Sequence, residues 1–180
     1  MSLTTTLSAA EFPGLAFNYP GWKLAGYRFD ASERTIFFQM NEEEDLLIAS
    51  KCPHCDTENP VSHGHLPERT WRHLDAFGLR TALICAIPRG KCRDCSRVFG
   101  ISPPWQGKSK HFSIEFEAFL LTLIKELPVK AAAKIVGETD QRVWRMLFAH
   151  VDSARSHLSI EVMKMVRQQW QMRTIQSNQR

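Results

Sequence analysis

Four of the five cysteines fall into two short pairs, Cys52-x2-Cys55 and Cys92-x2-Cys95, with 36 residues between the pairs. A Cys-x2-Cys turn aims two sulfurs at one point. Two such turns supply four thiolates in a tetrahedron, the geometry that suits Zn²⁺ with bonds of ~2.3 Å. Four sulfurs close the coordination sphere and leave no position for water. The expected chemistry is therefore structural: one Zn²⁺ ion held by Cys52, Cys55, Cys92 and Cys95, whose binding folds the segment around it. His54 lies inside the first turn and is expected to point outward. His63 and His65 are read as loop residues that bind nothing. The second pair is surrounded by Arg89, Lys91, Arg93 and Arg97. These cations can stabilise the thiolates; they also form a basic knob that either touches phosphates or serves only solubility, with Lys91, Arg93 and Arg97 the candidates for contact.

A second constellation lies further along the chain. Pro128–Gly137, then Glu138-Thr139, then Asp140 onward has the layout of a short helix, a glycine-bearing turn and a longer helix, as in a DNA-binding helix-turn-helix. Ala131, Ala132 and Ala133 allow close helix contact, and Gly137 supplies the positive φ of a sharp turn. Gln141, Arg142 and Arg145 open the second of these helices. An Arg there can pair bidentately with guanine and a Gln with adenine. Lys130, Lys134 and Thr139 complete the expected DNA-contacting set. Trp144 is read as a core residue beside Leu147 and Phe148.

The elements that must position these groups follow from the pattern. Lys23–Asp30 and Arg34–Met40 are aromatic and β-branched, with turn residues between them, and predict a β-hairpin. Leu46–Ser50 reads as a short strand entering the first cysteine pair. Arg69–Asp75 and Leu79–Ile87 predict a second hairpin, whose alternation puts Cys85 on the apolar face as a small buried hydrophobe. His73 and Asp75 share a strand face as hydrogen-bonded support for that hairpin. Strands that bring the two cysteine turns together make a zinc ribbon. Pro103, Pro104 and Gly107 mark a linker, after which the period becomes helical. Ser113 caps a helix to about Glu126 with Ile114, Phe116 or Glu117, Phe119, Leu120 and Leu123 inward. In the third helix Val143, Leu147, Val151 and Ala154 form the expected buried stripe. The fold class is α+β: an N-terminal arm (1–21), a β-rich zinc ribbon (22–107), an all-α three-helix helix-turn-helix unit (110–158) and an amphipathic tail helix (159–180). In the tail Ile160, Met163, Val166 and Trp170 make a stripe that pairs with a second copy, or else packs back on the three-helix unit or frays.

Composition agrees with a globular chain of 180 residues. The formal net charge of +4 is unevenly spread: residues 1–50 carry −4, residues 51–112 carry +5 and residues 113–180 carry +3. An anionic partner, double-stranded DNA first of all, would meet the last two-thirds. The start has no cationic, apolar leader, and no apolar run is long enough to span a bilayer. The expected setting is bacterial-type intracellular, cytoplasmic and nucleoid-associated, where unpaired cysteines favour metal over disulfides. No membrane and no small-molecule substrate is expected as a partner.

One ordered series of residues has a wider likeness. Cys52-Pro53-x-Cys55, Arg69-Thr70-Trp71-Arg72-His73-Leu74-Asp75, Ile87-Pro88-Arg89-x-x-Cys92-x-x-Cys95, Pro104-Trp105, Phe112-Ser113, Phe116-Glu117-Ala118 and Pro128-Val129-Lys130-x-Ala132 occur in this order. The series resembles the N-terminal half of the ISL-three family of insertion-sequence transposases, over roughly Trp22 to Leu158. The resemblance implies a zinc finger and a helix-turn-helix that recognise transposon terminal inverted repeats ahead of a DDE catalytic domain. That domain needs three carboxylates around two metal ions. After Leu158 only 22 residues follow, with Glu161 the single acid. The expectation is a zinc-dependent, sequence-specific DNA-binding protein without catalytic residues of its own. The alternative is a zinc-ribbon adaptor, for example a regulator that pairs with a full-length transposase.

Overall fold

The computed structural model describes residues 17–58 and 60–157, without the side chains of 156 and 157. The tail helix and most of the N-terminal arm lie outside them. The described residues form strands β1 (Trp22–Asp30), β2 (Thr35–Glu42), β3 (Val61–Ala76), β4 (Leu79–Lys91) and β5 (Val98–Gly100). Helices α1 (Ile114–Glu126), α2 (Val129–Ile135) and α3 (Asp140–His157) follow. The chain is α+β, as its pattern predicts. Two compact units part between Thr122 and Leu123, within α1.

The first unit is built on a five-stranded sheet of order β1-β2-β4-β3, with β5 also on β4. Both predicted hairpins form. β1 pairs antiparallel with β2, and Asp30 closes their turn by accepting hydrogen bonds from the N–H and hydroxyl of Ser32. β3 pairs antiparallel with β4. β4 is the hub: β3 runs along one side, while the other is shared by β2, parallel at 80–84, and β5, antiparallel at 89–91. Cys85 is fully buried in a cluster with Phe17, Trp22, Met40, Trp71, Leu83, Ile87 and Trp105. Burial pushes its thiol up to about 12, so it packs as an inert hydrophobe.

Two expectations about strands need correction. Leu46–Ser50 is a run of turns, not a strand: the Ala49 N–H bonds to the Asp45 carbonyl and the Ser50 hydroxyl to the Leu46 carbonyl. Leu46 packs on the core cluster, so local turns hold a residue that the strand reading assigned to a ladder. β3 begins at Val61, well before Arg69, and its first ten residues are exposed. Gly64 and Pro67 interrupt any strand signal there, yet pairing with β4 carries the arm up to the cysteines.

The string Trp71-Arg72-His73 joins the sheet to the start of α1. Trp71 is completely buried. The Arg72 N–H donates to the His111 carbonyl, and the Ser113 N–H donates to the Arg72 carbonyl. The Arg72 guanidinium lies 4.8 Å from the Phe116 ring centroid and pairs with Asp75 at 2.5 Å. His73 Nδ1 meets the Ser113 hydroxyl at 2.8 Å, and that hydroxyl also accepts from the Phe116 N–H as the N-cap of α1. Asp75 therefore braces Arg72, while His73 braces Ser113. The buried Glu117 accepts hydrogen bonds from the Lys108 and Ser109 N–H groups and the Ser109 hydroxyl, fixing the loop before the helix. Ile114 and Phe119, expected inward, are exposed, and Phe116, Glu117 and Leu120 are the buried positions of α1.

In the second unit α2 and α3 pack together, with Ala132, Ala133, Val136, Val143 and Met146 buried. The expected stripe of α3 is thus right at Val143 and wrong further on. Met146 is inside, Val151 and Ala154 are exposed, and Leu147 is half-buried. Trp144 is not a core residue: it is 44% exposed and stacks on Phe148, itself 58% exposed.

Candidate metal centre and nucleic-acid interface

Each cysteine pair sits in the same turn. The Cys52 N–H donates to the Thr57 carbonyl and the Cys92 N–H to the Arg97 carbonyl, both at 2.9 Å. The residue after each second cysteine, Asp56 and Ser96, has a left-handed φ of 59° and 58°. The repeated backbone aims the two sulfurs of each pair the same way. All four sulfurs converge within 4.8 Å of one another. The cross pairs Cys52–Cys95 and Cys55–Cys92 are separated by 3.6 and 3.4 Å. Four bonds of ~2.3 Å in a tetrahedron place sulfurs ~3.8 Å apart, so the cage has the size of one Zn²⁺. The Thr57 hydroxyl donates to Asp94 at 2.7 Å and ties one turn to the other.

The donor set also fits electrostatically. Hydrogen bonding with Thr57, at its side chain and then its backbone, holds the Cys55 thiol down at about 6. The N–H of Arg97 favours the Cys95 thiolate, but burial and the three neighbouring sulfurs prevail and push Cys95 up to about 12. Four thiolates at this spacing need a cation between them. The four cysteines hold one structural Zn²⁺, and Cys52 and Cys92 are its buried members. His54 is exposed and turned to Arg97 at 3.2 Å. His65 meets Glu42 at 2.5 Å, and neither it nor His63 joins the sulfur cluster. Lys91, Arg93 and Arg97 are exposed around the second turn.

α2 ends in a Schellman arrangement: the Glu138 N–H bonds to the Ala133 carbonyl at 2.9 Å and the Gly137 N–H to the Lys134 carbonyl at 3.3 Å. Gly137 has φ +67°, as this closure requires. Thr139 then caps α3 through its hydroxyl, 3.4 Å from the Arg142 N–H. The turn is therefore fixed at both ends. At ~100° per residue, the buried Val143 and Met146 mark one side of α3. Gln141, Trp144, Arg145 and Phe148 lie on the exposed remainder. Lys130 and Lys134 are exposed on α2. Arg142 differs from its neighbours. Its guanidinium pairs at 2.5 Å with Glu138, whose side chain is only 2% exposed. Sequence spacing selected Arg142 as one of three equivalent polar positions; the structure joins it to the turn. No described helix is long and apolar enough to cross a membrane.

Comparison with known proteins gives two matches. Residues 49–95 match the family described as zinc-finger of transposase IS204/IS1001/IS1096/IS1165. Residues 101–151 match the helix-turn-helix domain of transposase family ISL3. No curated protein and no solved structure matches the chain significantly.

Proposed function

Since the chain belongs to the ISL3 transposase family over residues 49–95 and 101–151, we propose that it recognises the terminal inverted repeats of a mobile element and performs no strand transfer itself. The matched zinc finger, the four-cysteine cluster and the matched helix-turn-helix together support zinc-dependent DNA binding. The observation that carries the finer reading is the rigid turn into α3, which projects Gln141 and Arg145 from the exposed side of a helix start. That is where a recognition helix meets base edges. Lys130 and Lys134 hold phosphates. Lys91, Arg93 and Arg97 supply a second, sequence-independent contact from the zinc turns. Arg142, engaged by Glu138, acts mainly by holding the turn. The domain plan is a zinc ribbon over 22–107 followed by a helix-turn-helix over 110–158.

The test is a binding selection. Zinc-loaded protein is incubated with a random duplex library at physiological salt. A single enriched sequence that recurs at the ends of a mobile element is the expected result, and two spaced half-sites would add a dimer. Weak, salt-sensitive binding with no enrichment would overturn the reading and favour a partner-binding adaptor.

A further inference from the structure

The exposed side of α3 carries more than polar residues. Trp144 and Phe148 are one helical turn apart, and their rings stack with centroids 5.7 Å apart and planes at 27°. Both are large, apolar and about half exposed. A lone exposed aromatic needs no explanation, but here two form one ridge. It lies beside Gln141 and Arg145, on the face that the buried Val143 and Met146 leave outward. Val151, 38% exposed, continues it toward the end of the helix.

The chemistry that such a ridge fits follows from what it adjoins. In the major groove the one apolar group on a base edge is the C5-methyl of thymine, and it is read by apolar side chains. A helix that places Gln141 and Arg145 against base edges carries Trp144 and Phe148 into the same groove. Phosphates flank that groove, and the exposed Lys130 and Lys134 supply the matching positive charge from α2. A hydrogen-bonding ridge at these positions would compete for donors and acceptors. An apolar one adds selectivity for A·T pairs by burying methyl groups.

We infer that the Trp144–Phe148 pair is a specificity determinant that reads thymine methyl groups in duplex DNA. This rests on the DNA-reading role of α3 given above. The experiment uses the zinc-loaded full chain and the duplex enriched by selection, with each thymine replaced in turn by deoxyuridine. Only a methyl is removed, so protein folding is untouched. Binding should fall roughly three- to tenfold at one or two positions, the effect of unburying about one methyl-sized group. In Trp144→Ala or Phe148→Ala protein the same replacement should have no further effect. Equal binding of thymine and deoxyuridine at every position, while Arg145→Ala still relaxes sequence preference, would overturn methyl reading and leave base reading by α3 standing. Failure of the selection to enrich any sequence would overturn both together.

Discussion

Arg142 and Arg145 show how two like residues, three positions apart, acquire different work. Arg145 is exposed at the start of α3, whereas Arg142 is tied to the nearly buried Glu138. Arg145→Ala should cost ~1–3 kcal/mol on the selected site and relax preference at one base pair. Arg142→Ala should lower affinity for all sequences alike and destabilise the helical unit by about 1–3 kcal/mol, the cost of taking a hydrogen-bond partner from the nearly buried Glu138. Affinity measured on matched and mismatched duplexes, beside urea melts, separates the two. Gly107 gives a second contrast. Gly→Ala in a loop commonly stabilises by ~0.4–1 kcal/mol through the unfolded chain. Here a Cβ would overlap the Glu117 carboxylate that holds the Lys108 and Ser109 N–H groups. Gly107→Ala should therefore destabilise, by about 1–3 kcal/mol, and a urea midpoint gives the sign directly.

At the scale of elements, the legible parts were those whose signal is local. Paired cysteines state their own turn, and Ser113 and Gly137 state where helices start and stop. The phase of α3 was not legible. Trp144, Phe148 and Val151 surround the helix with apolar residues, so hydrophobicity alone could not choose between them and Met146. Packing against α2 chose instead. The exposed arm of β3 was hidden because pairing with β4, not side-chain burial, makes it a strand. Where α1 meets the sheet, burial lowers the pKa of His73 below its ordinary 6.5, Arg72 adding to the effect and Glu115 opposing it. The unfolded chain then binds the proton more readily than the folded one, so stability rises with pH in this range. The contribution is complete above about pH 6.5 and is lost as pH falls through the lower folded value. His73→Asn should flatten that slope. Paired urea melts at pH 7.5 and 5.5, zinc present in both, check it, since any effect of acid on the thiolates is common to both proteins.

The whole molecule places its cysteine turns far in sequence from α3, and its two compact units part inside a helix. Residues 49–95 and 101–151 match two modules of one family, yet the start of α1 is bonded to the sheet at Arg72 and His73. The resemblance in sequence found the order of the modules. The bonding of the start of α1 to the sheet, within the first unit, was not legible, because it depends on backbone groups of residues 72, 111 and 113 that no side-chain pattern announces. Cys92→Ser should remove the metal and unfold the cysteine turns, since binding supplies their folding free energy. Metal content together with a shifted melting curve is the measurement, and a native-like melt without metal would contradict a structural role.

β4 passes through two regimes in one strand. At 80–84 it lies between β2 and β3, beside the buried cluster; at 89–91 it lies between β5 and the exposed arm, ending at Cys92. The first stretch lies against the large core cluster, whereas the second, with Gly90 buried but Lys91 exposed, runs directly into a metal ligand. Along a single strand, therefore, the clocks of amide exchange should diverge when zinc is chelated: those near Leu83 should keep ticking slowly, and those near Gly90 should quicken by orders of magnitude. The boundary between slow and fast amides would record how far the grip of one metal ion reaches into the sheet.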